Sequence, residues 1–313
     1  MSTFVYRLVD HINRYVELRR SLGYSFETQA ATLQAFGRFV KRRSEAGPLT
    51  QHLALTFVLK CPVTPNVRAR RYGFLKNFAD YFSIFDSRTE AFDPQALPRS
   101  RAVPPARLLD EKELARLLEA ARQISPLHPM RGLTLFTIIG LLASTGLRSG
   151  EVTHLDRGDV NLERGILRIR GTKFRKNRLV PVHPTTLQAL RTYVNARDKA
   201  YPRSSSPAFF LSLRGGRWSK CGFGNTFHQA CAKAGLDQGP HRGLRPHDLR
   251  HRFATIRLVT WYQEGVDVQA RLPLLATYLG HTRYSDTAYY ITGTPDLLGL
   301  AASRAFQPEG GAR

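Results

Sequence analysis

The chain has 313 residues, 42% of them hydrophobic and 10% aromatic, which is enough for one or two packed domains. Its 47 Lys and Arg stand against 24 Asp and Glu, a net charge of +23, and so large a surplus favours a polyanionic partner, nucleic acid foremost, over an acidic one. Three cysteines, Cys61, Cys221 and Cys231, make no disulfide framework, and no apolar run is long enough to span a membrane, so we expect a reducing, cytoplasmic setting.

The first hundred residues read as helices with basic edges. Val5, Leu8, Val9, Ile12 and Val16 recur at helical spacing, and a turn at Leu22-Gly23-Tyr24 follows, with Ser25 as the expected N-cap of a second helix. That helix carries Ala30, Leu33, Phe36, Phe39 and Val40 and ends in Lys41-Arg42-Arg43. A third runs from Thr50 to Lys60. In a fourth, Val67, Leu75, Phe78 and Phe82 are apolar while Arg68, Arg70, Arg71 and Lys76 are basic. Residues 1–100 hold 15 Lys and Arg against 8 acids, and the remainder 32 against 16, so a polyanion is expected to touch both halves.

A proline-rich stretch through Pro98, Pro104 and Pro105 reads as a linker, because proline bars helix continuation. Asp110 and Glu113 then form a capping-box start. Leu133 to Ala143 reads as a buried helix that stops at Gly146. Residues 166–170 and 178–182 read as two strands joined by a basic loop, and helices are expected at 184–200, 221–235, 247–264, 271–280, 284–291 and 295–305. The fold class is mainly α with a small β-sheet.

The chemistry lies in scattered cations and one phenol. Cleaving a phosphodiester requires that charge building on the non-bridging oxygens be neutralised and that the leaving 5′ oxygen be protonated. No carboxylate cluster suited to holding Mg²⁺ is evident, and basic side chains are the alternative. Arg148 follows Gly146, with Glu151 three residues on to orient it; His247 and Arg250 share one helical face; His281 follows Gly280. Lys173 sits in the loop Gly171-Thr172-Lys173-Phe174-Arg175-Lys176, where it can reach a leaving oxygen, while Arg175, Lys176 and Arg178 are expected to contact phosphates. Among Tyr278, Tyr284, Tyr289 and Tyr290, adjacent phenols on a helix point apart, so only one of the last pair can serve as nucleophile. Each of these signals alone is also what an ordinary basic surface would show.

Their order is more specific. Thr145-Gly146-Leu147-Arg148 with Glu151, a strand–Lys173–strand hairpin, His247-x-x-Arg250, Leu279-Gly280-His281, and Tyr290 nine residues later together resemble the tyrosine recombinases, the phage integrase family. The resemblance implies a helical core-binding domain over 1–97, a linker over 98–106, a catalytic domain over 107–305 and a tail over 306–313. It implies site-specific recombination through a 3′-phosphotyrosyl link formed by Tyr290, with Arg148, Arg250 and His281 on the phosphate, Lys173 as general acid and His247 in support. Arg42, Arg43, Arg68, Arg70, Arg71 and Lys76 would hold double-stranded DNA. No cofactor or metal is implied. Four copies would act on two sites, docked through the C-terminal helix, with other recombinases of the same element as further partners, in a bacterial nucleoid. The long stretch between Arg250 and His281 and the Ile-Thr-Gly-Thr-Pro after Tyr290 resemble integrases of mobile elements. A type IB topoisomerase and a non-catalytic DNA-binding protein are the alternatives.

Overall fold

The computed structural model describes residues 3–60, 62–98, 106–170, 177–237, 243–281 and 287. The chain divides into two compact units, Met1–Val103 and Pro104–Arg313. Helix accounts for most of the described residues, with one small sheet, the mainly α class that the pattern predicts. No described helix is long and apolar enough to cross a membrane.

The first unit packs α1 (Thr3–Ser21), α2 (Glu27–Arg43), α3 (Gln51–Lys60) and α4 (Pro65–Phe82) around Leu8, Ile12, Leu33, Phe36, Val58, Phe78 and Phe82. Phe92 belongs to the same core, and Ala96 and Leu97 pack on it. Ser25 does not cap α2. Phe26 takes that place in a left-handed conformation (φ 47°), with no side-chain cap, and its carbonyl accepts the Ala30 N–H. The Phe26 ring stands edge-on to Tyr15 at 5.7 Å, so aromatic packing rather than a hydroxyl cap sets the entry to α2.

The second unit begins at α5 (Glu111–Arg122), started by the capping box: Asp110 accepts the Glu113 N–H at 2.7 Å and Glu113 accepts the Asp110 N–H at 3.1 Å. Its centre is α6 (Pro129–Thr145), whose Leu135, Ile138, Ile139 and Leu142 are buried against α5, α8 (Pro184–Ala200) and α10 (Pro246–Gln263). A short α7 (Ser149–Thr153) follows. The sheet is antiparallel in the order β1 (Val160–Asn161), β2 (Ile166–Ile169), β3 (Arg178–Pro181), with Ile169 opposite Arg178 at the mouth of the basic loop. The sequence does not announce two-residue β1, since so short a strand has no periodicity to read. Then come α9 (Lys220–Lys233) and α11 (Val268–Leu279). α11 starts earlier than its apolar spacing suggests because Asp267 accepts the Ala270 N–H and caps it.

Candidate active site

Two helix ends and two arginines form the centre of the site. α6 stops at Gly146, whose φ of +63° is left-handed, and α11 stops at Gly280, with φ +68°. Glycine is required at both by conformation and by space. A Cβ at 146 would lie 2.5 Å from the Phe253 ring, and one at 280 would lie 2.7 Å from the Arg178 guanidinium. Each end leaves carbonyls at the negative pole of its helix, where cations are favoured. Arg250 donates to the Gly146 carbonyl at 2.8 Å and to the Leu279 carbonyl at 2.8 Å, and Arg148 donates to the Gly280 carbonyl at 3.2 Å.

Arg250 is 1% exposed, on the inward face of α10. Its Nη2 lies 2.7 Å from Nε2 of His281. A guanidinium can only donate, so Nε2 accepts, Nδ1 carries the proton, and that proton is donated to the Thr287 hydroxyl at 2.7 Å. His281 is thereby held as a neutral ring.

Arg148 is the N-terminal flanking residue of α7. Glu151 accepts its backbone N–H at 3.0 Å and its Nη1 at 2.9 Å, the orientation that the three-residue spacing predicts. Arg148 keeps 37% of its side chain exposed, and that part lines a cavity of 800 Å³ together with His154, Arg168, Arg170, Lys220 and His247. His247 stands exposed at the cavity edge, its ring 4.9 Å from that of His251 one turn along α10. Desolvation first, then the charges of His251, Arg250 and Arg245, push its pKa down to about 4. The exposed face means that solvent moderates this shift. Asp248, fully buried, accepts the Arg245 backbone N–H at 2.8 Å and its guanidinium at 3.2 Å, which anchors the start of α10.

Arg178 departs from expectation. The sequence assigns it to phosphate, but its side chain is only 10% exposed. Nη1 and Nη2 donate to the two oxygens of Glu151 at 3.0 and 2.8 Å, and Nε donates to the Tyr278 carbonyl at 2.9 Å. Burial alone would raise the Glu151 carboxyl, but the hydrogen bonds and charge of Arg178, then those of Arg148, hold it below the ordinary carboxylate value. Nothing in the spacing of residues 148, 151 and 178 reveals this triad, because it closes only when β3 meets α7 and α11.

The structure thus brings Arg148, Arg250 and His281 together around the two glycine turns and puts His247 with Arg148 on one cavity. Lys173, Arg175, Lys176, Tyr289 and Tyr290 lie outside the described residues. Tyr278 is structural: it stacks on Phe253 at 5.7 Å, its hydroxyl donates to the Pro181 carbonyl at 3.3 Å, and burial pushes its pKa up to about 12. In the first unit, Arg42, Arg70 and Arg71 line a groove of 560 Å³ between α2 and α4, joined by Arg38, which the sequence does not single out. Arg68 lies on the same α4. Arg43 pairs with Glu45 and Lys76 with Asp80, exposed pairs that a phosphate can displace.

Similarity to known proteins identifies the family. The phage integrase family model matches residues 107–295. The chain is 54% identical over 312 residues, all of both chains, to "Putative integrase/recombinase y4rE" of Sinorhizobium fredii. It is 30% identical over 280 residues to the tyrosine recombinase XerA of Thermococcus kodakarensis, covering 88% of this chain and 89% of that one. Among solved structures it is similar in fold, at a TM-score of 0.66 and 16% identity, to the Tn1549 transposon integrase in complex with transposon right end DNA, over 95% of this chain and 99% of that one. The chain belongs to the phage integrase family of site-specific tyrosine recombinases.

Proposed function

We propose that this recombinase cleaves and rejoins double-stranded DNA through Tyr290. The Tyr290 oxygen attacks the scissile phosphorus and its proton passes to the neutral His247 ring; the Tyr–O–P bond forms as the P–O5′ bond breaks, and the 5′ oxygen takes a proton from Lys173. Arg148 and Arg250 neutralise the non-bridging oxygens, and His281, which accepts from Arg250, positions that guanidinium. Bond energy is retained in the phosphotyrosine, so no other energy source is needed. Residues 1–97 act as the core-binding domain and 107–305 as the catalytic domain, with Arg38, Arg42, Arg70 and Arg71 holding the backbone. Four copies work on two sites through the C-terminal helix, as a mobile-element integrase would.

The observation that carries this reading is the convergence of Arg148 and Arg250 on the carbonyls of one pair of glycine turns, with His281 accepting from Arg250. A cluster of donors is useful where charge develops in a transition state. The test incubates the full chain with a pool of randomised nicked duplexes and sequences the DNA that remains linked to denatured protein. Wild type and Tyr289→Phe should yield linked DNA with a 3′-phosphotyrosyl junction, and Tyr290→Phe none. Linked DNA from Tyr290→Phe would overturn the assignment of the nucleophile.

A further inference from the structure

We infer that Arg178 is a positioning residue: its guanidinium neutralises Glu151, which leaves the charge of Arg148 to the scissile phosphate. The inference rests on the recombinase reading above and deepens it.

Glu151 sits between two arginines. One oxygen accepts from Nη1 of Arg148 at 2.9 Å and from Nη1 of Arg178 at 3.0 Å; the other accepts from Nη2 of Arg178 at 2.8 Å and from the Arg148 backbone N–H at 3.0 Å. Glu151 and Arg178 are each 10% exposed, whereas Arg148 is 37% exposed and lines the cavity. The triad therefore carries one net positive charge, and that charge faces the cavity on Arg148. Without Arg178 the remaining pair is neutral: Glu151 cancels Arg148 at the distance just given, and both of its oxygens become available to draw the guanidinium inward. A neutral pair cannot stabilise growing negative charge on a phosphate as a cation does.

Arg178 is also fixed in place. Nε is bound by the Tyr278 carbonyl at 2.9 Å, and the Gly280 backbone lies so close that a Cβ there would come within 2.7 Å of Nη1. These interactions tie β3, the strand that leaves the basic loop, to the end of α11 that presents His281. Nε, Nη1 and Nη2 of Arg178 are thus directed at the Tyr278 carbonyl and Glu151, and its side chain lies 10% exposed behind Arg148.

The test uses a duplex enriched from the randomised pool, prepared with either an ordinary phosphate or an uncharged methylphosphonate at the mapped cleavage position. Arg178→Gln should form linked DNA on the ordinary duplex about 10²-fold more slowly than wild type, the scale of removing one charged donor from a transition state. It should bind that duplex nearly as well. The methylphosphonate develops less negative charge, so it should bring Arg178→Gln within about tenfold of wild type on the same duplex. The double variant Glu151→Gln, Arg178→Gln removes the charge that Arg178 offsets and should regain at least about tenfold on the ordinary duplex. Arg178→Lys, which keeps the charge, should stay within about tenfold of wild type and answers the question should the Gln variant not fold. A double variant as slow as Arg178→Gln, with no gain on the methylphosphonate, overturns the inference, as does an Arg178→Lys as slow as Arg178→Gln. Wild type linking to DNA while Arg178→Gln links equally fast overturns this inference alone. Wild type that links to no duplex overturns the recombinase reading and this inference with it.

Discussion

His247 and His281 are held neutral in the same site by different means. His281 is fixed by an arginine on one nitrogen and a hydroxyl on the other, so its tautomer is set by geometry. His247 is set by electrostatics: desolvation and three cationic neighbours hold it down at about 4, against an ordinary value of 6.5, with Asp248 opposing them. A neutral ring can accept a hydrogen bond or take up a proton, which suits a supporting role beside a general acid. The sign follows for stability. The unfolded chain protonates this ring at a higher pH than the folded one, so its contribution is complete above 6.5 and is lost as pH falls from 6.5 toward 4. We predict that an NMR titration of the protein alone places the His247 midpoint well below 6.5, and that bound duplex raises it, because phosphates add negative charge to the cavity. A midpoint unchanged by duplex would mean that His247 does not face the bound phosphates.

The two helix C-termini are the elements that build the site. α6 is apolar enough to be buried on its own account, and Gly146 ends it at the point where its last carbonyls meet Arg250. α11 ends the same way at Gly280, beside Arg148 and Arg178. We predict that Gly146→Ala destabilises the protein by about 1–2 kcal/mol for the left-handed backbone and by a further ~1–3 kcal/mol for overpacking against Phe253 and Leu279. Chemical denaturation should show this as a lower midpoint, and DNA linkage should slow because the Gly146 carbonyl can no longer hold Arg250 where it is. Gly140→Ala on the same helix meets open space at an ordinary helical φ, and should raise stability by about 0.5–1 kcal/mol. Equal effects from the two substitutions would mean that the turn at 146 is not a constraint.

Across the whole molecule, charge divides by task. The first unit collects Arg38, Arg42, Arg70 and Arg71 along one groove, and the second gathers the arginine–histidine cluster. We predict that replacing Arg42 and Arg71 by Gln weakens duplex binding and flattens the dependence of log affinity on log salt by about 0.9 for each phosphate that is no longer neutralised. The rate of linkage at saturating DNA should be unchanged. A slowed rate at saturation, with an unaltered salt slope, would move those arginines from holding DNA to shaping the active site. The linear order of motifs makes the family legible and singles out Arg148, His247, Arg250 and His281, which the fold brings to one region, because helix ends, glycine turns and one-turn spacings are local properties of a chain. The capping box at Asp110 and the buried run of α6 are legible for the same reason. Arg178 is not. On the chain it is one more basic residue beside a basic loop, and only the meeting of β3, α7 and α11 turns it inward onto Glu151. Arg38 joins the groove only when α2 and α4 pack side by side. Local sequence determines which residues carry charge and where helices stop; which charges are spent on one another and which face a ligand depends on partners far apart in the chain, and tertiary packing alone decides that.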